Sequence, residues 1–495
     1  MTSMQVEKIF SEVGIKINVE KNHLEKNSRN ITEFASKSIL GTLYPISLSQ
    51  VREIVHIANK YKIVLYPFSS GMNWGQGSRI PLVNDSLLVD MSKLNAIIEI
   101  NEKHRYMIIE AGVTQLQAYK ALQHTKYKIP VTGSSANSSI VGNMLERGAT
   151  FFGHRNKLLM GIETVLGNGE TIRTGLWHYY KETNKHKPII YHAQGVGADI
   201  NGLFTQSNFG IVTKLVVRLL PKRKGLLLHA EAKEKNLIPL VDTLYSLWED
   251  KVTNDGVLIT NKNDPRTTTK GNYSYTGDWF TVSSIAGATP SITKTLRKEA
   301  KRRLYPYCYH IDFLPTDSEE TDKHPYFSVL NKLYHGEPTN YSLKTMALMQ
   351  KEVDLKSEKE MDINKDVIGF SVALPAVPFD GSQVWKVMQT VKEVSERLEV
   401  EPFHNFASIN DKVFEGFYRI YFDRKDKEAK LKAHKWNKEV HLALAKINIF
   451  PYRMNIERMP YFTKEFDDTF WQTIKNIKNT LDPNQVIALG KYSPI

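Results

Sequence analysis

The sequence predicts a fold of mixed helices and strands, α+β or α/β in its layers, spread over two or three domains. Three observations carry this expectation. The chain has 495 residues, more than one hydrophobic core organises. In its first half, short strands and amphipathic helices alternate. Between about 223 and 449 the pattern becomes a repeated strand-then-helix alternation: LLLHAEA before NLIPLVDTLYSLWEDK, WFTVSSIAGA before SITKTLRKEAKRRL, VIGFSVALPAV before GSQVWKVMQTVKEVSERL, and FYRIYFD before a basic helix. An antiparallel sheet backed by helices accounts for that second pattern.

Composition narrows the function classes. Hydrophobic residues make up 41% of the chain, enough to fill real cores, yet no apolar run approaches the ~20 residues of a membrane helix. The N-terminal stretch mixes charges into an amphipathic pattern and lacks the apolar core of a secretory signal, so a cytoplasmic protein is expected. The single cysteine, Cys308, leaves no internal disulfide and no cysteine-based metal site. Sixty-six basic against fifty-three acidic side chains give a formal +13. These charges lie in mixed-sign helical stretches such as 293–304 and 423–438, which read as solvated faces rather than a nucleic-acid surface. The field they create suits an anionic substrate or an acidic partner such as a carrier protein.

Taken in order, the run SLSQVREIVHIANKYK, 47–62, reads as a helix capped by Ser47 or Ser49, with Val51, Ile54, Val55 and Ala58 on one face. Residues 63–65 read as a short buried strand whose pairing Pro67 stops. The loop after it, SSGMNWGQGS, spaces Gly71, Gly75 and Gly77 among polar residues, as a turn whose N–H groups point at an anion would require. Strands follow at 86–90, 96–100 and 106–110, then a helix capped by Thr114. A second polar stretch, 131–155, is too long for a turn. Its Ser134, Ser135, Ser138, Ser139, Gly142, Asn143 and Gly148 let backbone approach a ligand and supply hydrogen bonds without bulk. Asn168-Gly169 marks a hairpin, and 202–221 runs from a helical turn into a long buried strand.

The runs PFSSGMNWGQGS, IVGNMLERG, IETVLGNGETIRTG, INGLFTQSNFGIVTKL and LDPNQVIALGK, in this order and spacing, resemble the vanillyl-alcohol oxidase / p-cresol methylhydroxylase family of flavoproteins. The resemblance spans nearly the whole chain. It implies an α+β fold: an FAD-binding domain of the p-cresol methylhydroxylase type over 1–222, a cap domain with an antiparallel sheet over 223–449, and a return segment over 450–495 that completes the first domain. It also implies an FAD-dependent oxidoreductase, which removes a hydride from a carbon activated by an aromatic ring, hydroxyl or amine. The alternatives are a tailoring oxidase acting on a larger or carrier-bound substrate, and a protein that binds flavin or another ligand without turnover. Homodimers occur in the family.

The resemblance assigns cofactor contacts to Ser69, Ser70, Gly71, Met72, Asn73, Trp74 and Gly75 in the first loop. In the second stretch it assigns Ser134, Ser135, Ser139, Gly142, Asn143, Gly148, Gly153 and His154. Ile211 and Val212 would line the adenine or ring pocket, and Lys491 would lie beside the flavin ring as a positive charge. Tyr452 and Arg453 match the family's pair that holds a phenolate oxygen, because both donate to an oxyanion. Three departures accompany these matches. The second phenol-binding tyrosine aligns on Gln76, an amide that donates but cannot share charge. No aspartate stands ahead of the VGN motif, where 130–135 reads PVTGSS. The covalent flavin attachment point falls at Gly416, so FAD is expected to be non-covalent.

Overall fold

In the computed structural model, residues 1–150, 153–180, 189–264, 277–318, 325–349, 353, 361–465 and 468–494 are described. A four-stranded sheet opens the chain, with spatial order Ile17–Asn18, Ile39–Leu43, Ser86–Asp90, Leu65–Phe68; its last three strands are parallel. The helix Leu48–Tyr61 connects two of them, and Ser47 Oγ caps it by accepting from Gln50 N–H at 3.2 Å. The strand Leu65–Phe68 runs through Pro67, which pairs in register with Val89. Pro67 was expected to end this pairing. It is tolerated because the strand lies at the sheet edge, where a missing N–H breaks no ladder on the outer side.

A second, antiparallel sheet of five strands has the order Thr171–Arg173, Leu159–Leu166, Gly210–Arg218, Tyr106–Glu110, Ile97–Asn101. One continuous core joins the two sheets, with Val55, Leu87, Met107, Val141, Ile162 and Leu215 all buried in it. Val486, Ile487 and Ala488 enter the same core from the far end of the chain, and Ile487 bridges Leu65.

The middle of the chain builds an eight-stranded antiparallel sheet: His310–Pro315, Leu226–Ala232, Trp279–Ile285, Leu258–Asn261, Phe403–Ser408, Val413–Phe422, Gly369–Pro378, Pro451–Arg453. Four helices, Leu237–Glu249, Pro290–Leu304, Gly381–Arg397 and Lys427–Lys446, pack on one face through Leu244, Val387, Trp436 and their neighbours. The other face carries Phe370, Val372, Phe417 and Tyr421, and meets the glycine loop of the first half. Pro451–Arg453 is the outermost strand of this sheet, in register with Leu374 and Pro375, so the chain leaves it after Arg453 rather than at 449. The stretches 318–327 and 342–365 are rich in charge. Helices occupy Pro325–His335, Tyr341–Leu348 and Ile363–Asp366, while 319–324, 350–352 and 354–360 lie outside the described residues. No helix among the described residues is long and apolar enough to cross a membrane.

Candidate active site

The two polar stretches of the first half meet. Ser139 N–H donates to Ser70 Oγ at 3.0 Å, and a Cβ built on Gly142 would lie 3.2 Å from Ser69 Oγ. Ser139 also starts the short helix Ile140–Leu145: its Oγ accepts from Gly142 N–H at 3.1 Å and donates to Ala111 O at 2.7 Å. A side chain at 142 would press on Ser69 of the first loop.

Buried hydrogen bonds hold the second stretch in place. Arg155, which is fully buried, donates to Pro130 O at 2.9 Å and to Gln115 Oε1. Gln115 in turn donates to Thr132 Oγ1 at 3.1 Å and Ser135 O at 2.8 Å. Burial lowers the Arg155 guanidinium to about 9, and its role here is to brace the loop. Ser135 Oγ and Ala136 N–H both reach Asn340 Oδ1, at 3.1 and 2.9 Å, which ties the stretch to the cap.

Between these segments and the cap sheet lies a cavity of about 360 Å³, within the size range of small-molecule sites. Ser69, Ser70, Gly71, Met72, Asn73, Trp74, Ser134, Ser139, Gly142, Asn143, Ile211, Val212, Arg453 and Lys491 line it. The other predicted residues stand behind the wall. Gly75 (φ +66°) presses on the cap, where a Cβ would meet Val372 at 2.6 Å. Gln76 is buried, its backbone O accepting from Ile456 N–H at 3.2 Å. Ser135 braces the loop as described, Gly148 N–H donates to Asn143 O at 2.8 Å, and Gly153 faces Ile409 O. His154 and Tyr452 pack against each other, with ring centroids 4.9 Å apart and planes tilted by 32°. Burial, and then Arg453, Lys157 and Arg147, lower the His154 imidazole to about 3, so it is neutral.

Arg453 is held by the glycine loop itself: its Nη2 donates to Asn73 Oδ1 at 2.8 Å. Gln206, from FTQSNFG, donates to Tyr452 O at 2.9 Å and fixes the same short strand. Lys491 does not stand as a lone charge. Its Nζ lies 2.6 Å from Glu146 Oε1, while Tyr492 O–H donates to Glu146 Oε2 at 2.7 Å. Burial opposes both charges, but the pairing outweighs it, holding Lys491 above the ordinary lysine range and Glu146 below the ordinary carboxylate range. With Glu146 matched to Lys491, Arg453 is left as the surplus positive charge at this end of the cavity.

Several wall residues escaped the sequence reading. Glu146 lies inside the quoted LERG run but reads there as an ordinary helix-end charge. The cap wall is formed by Phe370, Val372, Leu374, Phe417, Arg419 and Tyr421. The signal for half of it was present: in FYRIYF the residues Phe417, Arg419 and Tyr421 alternate, with an arginine inside an apolar strand. Arg419 is buried and ion-paired with Asp264. Away from the cavity, His229, Glu231 and His310 bring ligand atoms within 4.8 Å of one another. The Glu231 carboxylate already accepts from Tyr309 O–H and Gly277 N–H, both at 2.9 Å.

Residues 39–175 match the family model described as an FAD binding domain. A 4-cresol dehydrogenase [hydroxylating] flavoprotein subunit from Pseudomonas putida is 33% identical over 36% of this chain and 34% of its own. Over 97% of this chain and 94% of the other, the fold matches p-cresol methylhydroxylase with substrate bound, with a TM-score of 0.83 and 21% identity. These matches support the p-cresol methylhydroxylase / vanillyl-alcohol oxidase family. The protein is an FAD-dependent oxidoreductase with FAD as its cofactor. A 1'-carboxy-chondrochloren decarboxylase from Chondromyces crocatus is 25% identical over 98% of this chain and 96% of its own length. The 4-ethylphenol oxidase from Gulosibacter chungangensis shares the fold with a TM-score of 0.83 and 20% identity, over 96% of this chain and 94% of its own.

The residues present fit this family's FAD. The serine- and glycine-rich segments converge closely enough to present backbone N–H groups to a pyrophosphate. Trp74 Nε1, Asn143 Oδ1 and Arg453 Nε belong to cavity-lining residues and have no hydrogen-bond partner among the described residues. Buried polar atoms of this kind call for a ligand to complete them.

Proposed function

We propose that this oxidoreductase removes a hydride from a carbon conjugated with an acidic hydroxyl, as in a para-substituted phenol, and that Arg453 anchors the resulting oxyanion. The observation that carries this reading is the position of Arg453: a surplus cation, hydrogen-bonded to Asn73 of the glycine loop, at the edge of a wall made of Phe370, Val372, Leu374, Phe417, Tyr421 and the ion-paired Arg419. An aromatic ring packs on such a wall, and the cation selects the ionised form of its hydroxyl. Electron density from that oxyanion then favours loss of hydride from the conjugated carbon. When bound, FAD supplies the two-electron acceptor for that hydride.

The chain's own groups bind, orient and exclude water. Ser69, Ser70, Ser139, Gly142 and Asn143 would hold the cofactor's phosphates and ribityl chain, Ile211 and Val212 its adenine or ring, and the Lys491–Glu146 pair would border the ring. Tyr452 packs against neutral His154 and helps fix the strand that carries Arg453. Gln76 adds a buried amide beneath the loop. Non-covalent FAD agrees with Gly416 at the attachment position and with Tyr418, two residues on, buried against Phe406 on the helix-facing side of the sheet.

A second reading has a specific support. Arg419 gives the cap wall a buried guanidinium whose Nε, beside its ion pair with Asp264, has no partner among the described residues and suits a substrate carboxylate, and the decarboxylase relative aligns along nearly the whole chain. In that reading the substrate is larger and loses its carboxyl group as carbon dioxide. Anaerobic mixing separates the cases. Bleaching of the flavin band by 4-alkylphenols without gas release supports the first reading, and bleaching only by aryl carboxylates with carbon dioxide release supports the second. Tight binding of both with no bleaching would refute turnover altogether.

A further inference from the structure

The strand Val413–Phe422 turns Phe414, Tyr418, Ile420 and Phe422 toward the helices and the alternate residues toward the cavity side. Glu415 belongs to that second row, with Phe417, Arg419 and Tyr421. It is completely buried, and neither carboxylate oxygen has a hydrogen-bond partner among the described residues. Its neighbours explain why. The residue opposite on Phe403–Ser408 is Ala407, a cavity-lining position, and the residue opposite on Gly369–Pro378 is Ala376. Neither side chain offers a donor.

Among the described residues, the charged and titratable groups around it are few. Arg453, on the outer strand, stands opposite Leu374, two residues along from the Ala376 that faces Glu415, and is the cation whose field reaches it. Arg419, four residues along its own strand, is committed to Asp264. From the facing segment of the first half come neutral His154, and Lys157, which donates to Ile409 O at 3.0 Å. A carboxylate buried without donors is strongly disfavoured, and nature keeps such groups for a purpose or completes them with a ligand. Burial raises the Glu415 carboxyl to about 8, with Arg453 as the opposing influence.

We propose that Arg453 and Glu415 form a proton-coupled anion site, in which an oxyanion arriving at Arg453 draws a proton onto Glu415 wherever that carboxyl is still ionised. The proposal rests on reading Arg453 as the substrate's anchor. Its physical basis is linkage: the guanidinium is what favours ionised Glu415, and an anion on the guanidinium cancels that influence. An acidic hydroxyl that ionises on binding releases the same proton that Glu415 gains, so the buried charge of the site is conserved. An anion already ionised in solution, such as benzoate, must draw that proton from water. Near pH 8 and above, where Glu415 is partly ionised, the site therefore favours weakly acidic substrates, which bring their own proton, over permanently charged ones.

The test is titration calorimetry of the holoprotein with benzoate at pH 8, in two buffers of different ionisation heat. Wild type is expected to take up about half a proton per benzoate. Glu415→Gln should bind benzoate with that uptake lost, and Glu415→Asp, which keeps a titratable group, should retain it. Binding with no uptake in wild type, or with undiminished uptake in Glu415→Gln, overturns the inference alone. Absence of benzoate binding, or binding that Arg453→Met leaves unchanged, removes the anchor reading and the inference with it.

Discussion

Arg453 concentrates the chemistry of the proposed site in one side chain. Replacing it with methionine removes the surplus cation while Asn73 and the glycine loop stay in place, so the flavin should remain bound. A loss of about 100-fold in kcat/KM is expected, the scale for deleting one preorganised charged donor, with unchanged flavin content by absorbance. Lys491 answers differently. Lys491→Met leaves Glu146 mostly buried without its counter-ion, held by Tyr492 O–H alone, which should cost about 3 kcal/mol in a denaturant titration. Glu415 has a stability signature of its own. Its carboxyl titrates near 8 when folded against an ordinary 4.5, so the folded chain keeps a proton that the unfolded chain has already lost between those values. The stability this contributes is complete below about 4.5 and fades as pH rises to about 8. Glu415→Gln should therefore gain on wild type across that window, by a few kcal/mol at most, in melting curves taken at successive pH values. Tyr452 and Arg453 could be singled out through the family resemblance, because the adjacent pair matches one suited to an oxyanion. Glu415 was not legible, since a glutamate in a strand reads as solvent-facing until the sheet is folded over it.

Among the elements, the junction between the glycine loop and the short helix Ile140–Leu145 is decisive. Its glycine spacing and serine cap are local features, so sequence alone predicts that both segments are built for close approach. Their meeting at Ser70 and Ser139 is a contact across 69 positions, which no local pattern encodes. Gly142→Val would drive side-chain carbons into Ser69 and separate the two segments. The purified variant should lack flavin absorbance while keeping the wild-type far-ultraviolet spectrum; full flavin content in it would show that the junction does not hold the cofactor. The strand Leu65–Phe68 teaches a related lesson. Pro67 has a local propensity to stop pairing, but an edge position removes the penalty, and edges are a property of the whole sheet. The same holds for Pro451–Arg453, too short to be read as a strand until Leu374 and Pro375 supply its partner.

At the scale of the whole molecule, the repeated strand-then-helix pattern was legible because each strand buries one face against helices and so carries a strong apolar signal. The opposite face of the same sheet was harder to read. Its aromatic residues and Arg419 are shaped by what packs across the cavity, and that partner comes from a different part of the chain. If FAD is held by contacts alone, acid precipitation should leave its yellow colour in the supernatant; colour in the pellet would mean a covalent bond. The central claim joins these scales: the cavity between the converged loops and the cap wall delivers a substrate's conjugated C–H to FAD while Arg453 holds the oxyanion. Its most direct measurement is anaerobic stopped-flow bleaching of the flavin with a 4-alkylphenol, protonated or deuterated at the carbon next to the ring. The account predicts that deuterium slows bleaching, and that Arg453→Met slows it further without altering flavin content. Bleaching at equal rates with both isotopes, or none with any phenol, would contradict it.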